Sequence, residues 1–124
     1  MTPAINLAKK LKISFTLHEY SHDANSESYG LEAAEKLQVD ASQVFKTLVV
    51  QDEQDKLAVA VLPVANLLNL KKMAKAMGSK KVHMADPKLV ERTTGYVLGG
   101  VSPLGQKKRL PTIIHTTASQ HLTI

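Results

Sequence analysis

Apolar residues recur along the chain with two different periods, and these periods predict short helices and short strands. Helical spacing is present over 4–11 and 31–37, whereas every second residue is apolar over 13–17. We therefore expect a first helix, a half-buried strand that ends near Tyr20, a polar loop over 21–29 and a second short helix.

The middle of the chain has the pattern of a β-hairpin. Residues 44–51 and 57–62 are both rich in β-branched and other apolar side chains, and the polar segment 52–56 separates them. A polar connection of this length reverses the direction of the chain between antiparallel strands. The pattern therefore predicts two consecutive, paired strands.

The second half of the chain predicts two further helices and two short strands. Asn69 is a favourable helix N-cap and Gly78 a favourable C-terminal stop, while Asp86-Pro87 begins a helix that ends before the next glycine. Short apolar runs at 82–84 and 110–114 predict strands. Alternating elements in 124 residues, with no repeat and no linker, indicate one domain of the mixed α/β (α+β) class.

Lys46 is a charged residue within the largely apolar strand predicted over 44–51. Apolar residues on both faces indicate a strand that is buried on both sides, where a lysine is costly. Two interpretations stay open. In the first, which the residues alone favour, the stem of Lys46 packs and its ammonium reaches water. In the second, the ammonium faces a pocket and binds an anion or a developing oxyanion. Tyr20 is similarly either a residue of the core edge or part of a pocket rim.

A glycine-rich segment is followed closely by three cations. Four of the six glycines lie between Gly95 and Gly105, and Lys107, Lys108 and Arg109 come soon after. Because glycine has no Cβ, a ligand can approach its backbone N–H group, and several amides can converge on one oxygen. The combination indicates a ligand that has a reacting oxygen and a phosphate tail.

Composition narrows the chemistry further. The chain has no cysteine, and its five histidines do not match a helical zinc motif, so we expect no metal and no other cofactor. The net charge of +5 either favours binding of a polyanion or only reflects a solvated basic face. An aromatic content of 4% argues against nucleic-acid binding by base stacking. No segment has the apolar length of a membrane span or the order of a signal peptide, so we expect a cytoplasmic protein with no membrane partner.

Several stretches together resemble the YbaK/prolyl-tRNA synthetase-associated editing domain family. They are 1–4, 13–20, 44–50, Thr94-Gly-Tyr, Gly99-Gly100 and the run Ser-Pro-Leu-Gly-Gln-Lys-Lys-Arg-Leu-Pro at 102–111, with Leu70-Lys-Lys and Met84-Ala-Asp-Pro in support. The resemblance covers residues 1–124 as a single editing domain. It implies a mixed, mostly antiparallel, barrel-like sheet surrounded by short helices.

The resemblance also implies that family members continue past the position of Ile124. The continuation is a strand, a turn and a closing helix, and it supplies a hydroxyl and an acidic residue to the pocket. The present sequence does not include that segment. We therefore expect an exposed sheet edge and a more open pocket.

The activity implied by the resemblance is hydrolytic editing, in which a wrong amino acid is removed from tRNA by breaking the aminoacyl ester. The implied substrate is Cys-tRNA(Pro), with Cys-tRNA(Cys) as a further candidate, and the implied partner is prolyl-tRNA synthetase. Catalytic roles fall to Lys46 and to the backbone amides of Gly99 and Gly100. Substrate contacts fall to Tyr20, Thr47, Val101 and Ser102, and tRNA contacts to Lys107, Lys108 and Arg109. For Lys46 the resemblance favours the second interpretation.

No residue of the sequence stands out as a nucleophile. We therefore expect the attack to come from water, from a ribose hydroxyl or from the substrate's own thiol. Two alternatives of a different kind stay open: a non-catalytic module that binds the tRNA acceptor stem, and a protein that binds a small nucleotide or anion. Mutation of Lys46 distinguishes an enzyme from a binding module, because it abolishes turnover in an enzyme but only weakens binding in a module.

Overall fold

A mixed β-sheet organises the chain. The computed structural model describes residues 2–25 and 28–124, and in chain order its main elements are α1 (Pro3–Lys10), α2 (Tyr29–Lys36), β1 (Phe45–Asp52), β2 (Leu57–Pro63), α3 (Leu70–Met77), β3 (Val82–Met84), α4 (Pro87–Thr94) and β4 (Thr112–Ile114). Short 3-10 helices at Ala41–Gln43 and Thr116–Gln120 are additional to the predicted elements. Within the described ranges, no helix combines the length and the apolarity that a membrane crossing requires.

The strands pair in the order β3-β1-β2-β4. β1 and β2 form the predicted antiparallel hairpin, in which Phe45 lies opposite Pro63 and Gln51 opposite Leu57. β3 pairs antiparallel with the other edge of β1, and β4 pairs parallel with β2. The prediction of a mixed, mostly antiparallel sheet is therefore confirmed. In the described part of the chain the sheet is open at β3 and β4 and does not close into a barrel.

Helices cover both faces of the sheet. Successive residues of a strand point to opposite faces, so Val50 and Val49 belong to different cores. Val50 packs in a cluster that includes Met73 of α3, whereas Val49 packs in a cluster that includes Val90 of α4. This arrangement explains why the centre of β1, at Val49 and Val50, is apolar on both sides.

Side-chain caps determine where the helices begin. Asn69 Oδ1 accepts a hydrogen bond from the N–H of Lys72 at 3.0 Å, and Asp86 Oδ2 accepts from the N–H of Lys88 at 3.1 Å. α3 ends at Gly78, which has a φ of +74°. The helices predicted from these capping residues, and the two helices before the hairpin, are confirmed.

The strand predicted over 13–20 is wrong. This segment is not part of any strand in the described residues, and Ile13, Phe15 and Leu17 are 45%, 43% and 55% exposed. Alternation of apolar residues favours an extended backbone, but a strand also needs a hydrogen-bonded neighbour, and residues 13–20 do not pair with any of the four strands. The polar loop predicted over 21–29 falls partly outside the described residues, at 26 and 27.

Candidate functional site

Lys46 lies near the start of β1, opposite Leu62 of β2, and is half-buried. Its Nζ donates a hydrogen bond to the backbone carbonyl oxygen of Val64, just beyond the end of β2, at 3.3 Å. An ammonium carries three N–H donors, so one carbonyl bond positions it without saturating it. The fully buried part of β1 begins only at Val49, which explains how the strand accommodates a charge at Lys46.

The glycine-rich segment contains a tight turn at 97–100. The N–H of Gly100 donates to the carbonyl oxygen of Val97 at 2.9 Å, and Gly99, the third residue of the turn, has a φ of +91°. A type II turn needs a positive φ at this position, which glycine adopts without strain. The amide of Gly100 is therefore used inside the turn, whereas the amide of Gly99 belongs to the central peptide, outside the turn's own hydrogen bond. Of the two predicted donors, Gly99 is the better placed to meet a ligand.

Three hydrogen bonds brace the segment that follows this turn. The hydroxyl of Tyr96, which is only 7% exposed, donates to the carbonyl oxygen of Leu104 at 2.7 Å. Ser102 Oγ accepts from the N–H of Leu104 at 3.1 Å, and the carbonyl oxygen of Ser102 accepts from Gln106 Nε2 at 2.9 Å. The predicted substrate residue Ser102 is thus also part of the internal bracing of the loop.

Val101 anchors the loop on the sheet. It packs with the core cluster of Val49 and Val90, on the sheet face that α4 covers. Strand alternation puts Thr47 on the same face as Val49 and puts Lys46 on the other face. Lys46 and Val101, the residue that anchors the glycine loop, are therefore on opposite faces of the sheet.

The first turn of α2 joins Lys46 to the glycine loop. Gly30 lies so close to Val64 that a Cβ on Gly30 would be 2.3 Å from Val64 Cγ1, and Val64 is the residue whose carbonyl binds Lys46. The adjacent residue Tyr29 lies against Gly99, where a Cβ would be 3.0 Å from Tyr29 Cε2. Two consecutive residues of α2 thus contact the two halves of the candidate site.

A polar cluster lies behind Tyr29. The His22 ring stacks on Tyr29, with ring centroids 4.8 Å apart, and His22 Nδ1 is 2.5 Å from Oε1 of the buried Glu32. Glu32 Oε2 also accepts from the N–H of Asp23 at 2.7 Å. The hydrogen bond with His22, which burial opposes and the Asp23 amide reinforces, holds the pKa of Glu32 below its usual value.

Sequence reasoning missed this cluster. His22 is one of five histidines in the chain, and its separation of ten residues from Glu32 is not a recognisable motif. The sequence pointed instead to Tyr20, which is 37% exposed and lies in the 13–20 segment that forms no strand. The tyrosine in contact with Gly99 is Tyr29.

The three predicted tRNA-binding cations follow the loop and lie at the end of α4. The N–H of Lys107 donates to the carbonyl oxygen of Thr94 at 3.0 Å, and the N–H of Lys108 donates to that of Thr93 at 3.2 Å. These bonds satisfy carbonyls that a helix end leaves without an intrahelical partner, and positive charge is favourable there. The side chains of Lys107, Lys108 and Arg109 are exposed and accessible to a phosphate.

Lys108 and Arg109 lie at the end of the sheet opposite to Lys46. Lys108 and Arg109 line an open cavity of about 1160 Å³ beside the turn of the hairpin, together with Asp52 and Leu57. Lys46 pairs with Leu62, five residues further along β2, so about 16 Å separates the two regions at ~3.3 Å per residue. The predicted residues therefore form two groups, one at Lys46 and Gly99 and one at the cations.

Comparison with known proteins gives a consistent result. The aminoacyl-tRNA editing domain family matches residues 26–124. The chain is 38% identical, over 99% of its length and 74% of the relative's, to an Enterococcus faecalis protein with the provisional name Cys-tRNA(Pro)/Cys-tRNA(Cys) deacylase EbsC. The crystal structure of a hypothetical protein has the same fold, with a TM-score of 0.84, 24% identity and coverage of 97% of this chain and 77% of that one.

A second crystal structure, provisionally described as a trans-editing enzyme for prolyl-tRNA synthetase, gives a TM-score of 0.71 at 25% identity. The similarity covers 82% of this chain and 63% of that one, which is just under two thirds of its length. The resemblance inferred from the Lys46 strand and the 102–111 run is therefore confirmed. The chain belongs to the aminoacyl-tRNA editing domain family, which makes it an aminoacyl-tRNA editing enzyme.

Proposed function

We propose that this chain is a deacylase that removes cysteine from mischarged Cys-tRNA(Pro), with Cys-tRNA(Cys) as a second substrate. The observation that carries the proposal is that the first turn of α2 contacts both Val64, whose carbonyl binds Lys46, and Gly99. The choice of a cysteinyl ester is supported by the 38% identity to the E. faecalis relative. We further propose that prolyl-tRNA synthetase, in the cytoplasm, is the partner that supplies the tRNA, as the description of the second structural neighbour suggests.

The Gly99 amide is the donor for the developing oxyanion in this proposal. Attack on the ester carbonyl carbon moves negative charge onto the carbonyl oxygen, and a preorganised N–H stabilises that charge by about 3 kcal/mol, or about 10²–10³ in rate. The Gly100 amide becomes a second donor only when its hydrogen bond to Val97 is released. An aminoacyl ester is already an activated acyl group, so stabilisation of this size gives useful turnover.

Lys46 anchors the terminal ribose or phosphate of the tRNA. The carbonyl of Val64 holds its ammonium, and a positioned cation fixes the ester relative to the turn at Gly99. Tyr20, Thr47, Val101 and Ser102 are proposed to position the cysteinyl group. Thr47 and Val101 do so from the sheet face opposite to Lys46. The bound substrate therefore passes from one face to the other at the end of the sheet.

The nucleophile is supplied from outside the protein. In one route, water adds to the carbonyl carbon, the bond to the ribose oxygen breaks, the ribose oxygen takes a proton, and cysteine is released. In the second route, the cysteinyl sulfur bonds to its own carbonyl carbon, and the ribose oxygen leaves with the thiol proton. A water then opens the cyclic thioester to cysteine. A ribose hydroxyl, the third candidate, transfers the acyl group within the tRNA before water releases it.

The exposed cations contact the tRNA backbone at a distance from the reacting ester. About 16 Å along the sheet is a length that a nucleic-acid strand covers in a few nucleotides. Lys107, Lys108 and Arg109 therefore hold acceptor-stem phosphates while the 3′ end reaches Lys46. Contacts of this type are independent of base sequence, which leaves tRNA selection to the partner synthetase.

The proposal is tested by the release of cysteine from Cys-tRNA(Pro) by the wild-type chain, the Lys46→Ala variant and a blank without enzyme. The Lys88→Ala variant, which removes an exposed lysine from the first turn of α4, is the matched control. We expect release by the wild type and by the control variant, and none above the blank by Lys46→Ala. Tight binding of Cys-tRNA(Pro) without release by the wild type would instead indicate a binding module.

A further inference from the structure

We propose that His22 and Glu32 are positioning residues of the editing site, which hold the ring of Tyr29 against Gly99 and so maintain the turn that presents the Gly99 amide. The catalytic consequence of this inference rests on the proposed function. Its structural part, the coupling of His22 and Glu32 to Gly99, stands independently of it.

Glu32 is the buried residue that holds His22 in place. Its side chain is 5% exposed and accepts from His22 Nδ1 at 2.5 Å, while the Nζ of Lys36, one turn along α2, lies 3.7 Å from Oε2. An ionised carboxylate only accepts hydrogen bonds, so Nδ1 of His22 carries the proton in this pair. A buried carboxylate is stable only when its partners compensate the lost hydration, and these partners therefore bind the segment at His22 and Asp23 firmly to α2.

His22 transmits this rigidity to Tyr29. The two rings are stacked at 4.8 Å with planes 23° apart. Tyr29 is 52% exposed, so its ring would change rotamer at little cost if the stack were lost. The hydrogen bond to Glu32 fixes the plane of the imidazole, and the imidazole fixes the plane of the phenol ring.

Tyr29 in turn packs against Gly99. A Cβ built on Gly99 would lie 3.0 Å from Tyr29 Cε2 and 3.3 Å from Cδ2, so the ring edge lies directly against the glycine. Gly99 also has a φ of +91°, a conformation with several alternatives for glycine. Contact with a fixed ring selects this conformation, and with it the direction of the Gly99 N–H.

The structural part is tested by the amide and Hα resonances of Gly99 in ¹H–¹⁵N and ¹H–¹³C spectra. Gly78 is the internal reference, since it has a similar φ of +74° but nothing within 4 Å of a built Cβ. We expect His22→Ala and Glu32→Gln to shift the Gly99 resonances and leave those of Gly78 unchanged. Tyr29→Phe, which keeps the ring, should leave Gly99 near its wild-type position, whereas Tyr29→Leu should shift it.

The matched control is Glu35→Gln, which neutralises an exposed carboxylate on the same helix. It should leave both glycines unchanged. Thermal denaturation identifies any variant that fails to fold. His22 has an exposed ring, 42% accessible, so His22→Ala serves if Glu32→Gln does not fold. Wild-type Gly99 resonances in folded His22→Ala would overturn the inference.

The catalytic part is tested by steady-state deacylation of Cys-tRNA(Pro). We expect His22→Ala to lower kcat by about 10-fold or more, with KM within about twofold of the wild type, because a misdirected donor weakens the transition state and not tRNA binding. A raised KM with an unchanged kcat would contradict a positioning role. If the wild type itself releases no cysteine, the proposed function fails, and the Gly99 resonances still decide whether His22 and Glu32 position the turn.

Discussion

The ammonium of Lys46 is hydrogen-bonded to the carbonyl oxygen of Val64 at 3.3 Å, across the end of the β1–β2 hairpin. Val64 is itself fixed on both sides: its N–H donates to the carbonyl oxygen of Val44 at 2.9 Å, and its side chain lies against Gly30. Backbone interactions therefore determine where the charge of Lys46 lies. A side chain of the same charge but different shape would not reproduce this position.

This relationship predicts different results for two substitutions of Lys46. Lys46→Met keeps most of the packed stem and removes the charge, so we expect a loss of about 10² or more in kcat/KM with a Tm close to that of the wild type. Lys46→Arg keeps the charge, but a planar guanidinium carries it elsewhere, so we expect activity about 10-fold or more below the wild type. Cysteine release and thermal denaturation measure both. Wild-type turnover by Lys46→Met would rule out an anchoring role.

The identity of the amino acid tests the nucleophile. Only a cysteinyl ester has a thiol that can attack its own carbonyl, so that route predicts release of cysteine from tRNA(Pro) at least about 10²-fold faster than release of serine or alanine. The three esters are compared on the same tRNA with the same enzyme. Serinyl or alanyl release at the cysteinyl rate would indicate attack by water or by a ribose hydroxyl instead.

The cations at the end of α4 predict a salt effect. Each phosphate contact releases counterions, so Lys108→Gln should reduce the slope of log affinity against log salt by about 1 for a tRNA acceptor duplex. Lys88→Gln, which removes an exposed lysine from the first turn of α4, should leave the slope unchanged. The measurement is binding at several salt concentrations. Equal slopes for wild type and Lys108→Gln would show that the acceptor stem does not contact this residue.

The sequence predicted most of the fold because local chemistry determines most of its elements. Asn69 and Gly78 fix the ends of α3 through a cap and a left-handed residue, and the hairpin follows from two apolar runs around a polar connection. The prediction of a strand over 13–20 failed for a different reason. Alternation of apolar residues describes which way side chains point, and it carries no information on whether the segment pairs with another strand.

The candidate site was only partly predictable for a related reason. Lys46 and the glycine segment stand out in the sequence because a lysine in an apolar strand and clustered glycines are unusual. Tyr29, His22 and Glu32 have ordinary local contexts, and their association depends on how the 20–25 segment packs on α2. Only the tertiary structure brings Tyr29 to Gly99 and the other two residues to Tyr29.

Two glycines have nearly the same backbone conformation but different packing. Alanine substitutions at these two positions therefore distinguish the cost of a steric clash from the cost of backbone strain. Gly105 and Gly78 have φ values of +71° and +74°, but a Cβ on Gly105 would lie 2.7 Å from the backbone of Pro3, whereas Gly78 is in open space. Alanine at either position costs about 1–2 kcal/mol for the left-handed conformation. Gly105→Ala should cost a further ~1–3 kcal/mol, because the loop must move away from α1. Urea unfolding measures both, and equal losses would mean that the loop is not held against Pro3.

The environment of Asp52 predicts how the free energy of unfolding depends on pH. Its buried carboxylate accepts hydrogen bonds from Ser79 Oγ at 2.7 Å and from the amides of Lys56 and Gln54 at 2.8 and 2.9 Å. The Ser79 bond, opposed by burial and reinforced by the two amides, lowers the pKa of Asp52 below its ordinary value of 3.8. A lowered pKa in the folded state means that the carboxylate stabilises the fold fully above pH 3.8, and that this contribution is lost as the pH falls through the folded-state pKa.

The Asp52→Asn variant isolates this contribution. We expect its Tm to be lower than that of the wild type by on the order of 5 °C at pH 6, and the difference to shrink as the pH falls below 3.8. Glu32, Asp40 and Glu53 also have lowered pKa values, so both proteins lose stability in acid and only the difference between them reports on Asp52. A difference that stays constant with pH would mean that the loss comes from the amide nitrogen, which cannot accept a hydrogen bond, and not from the lost charge.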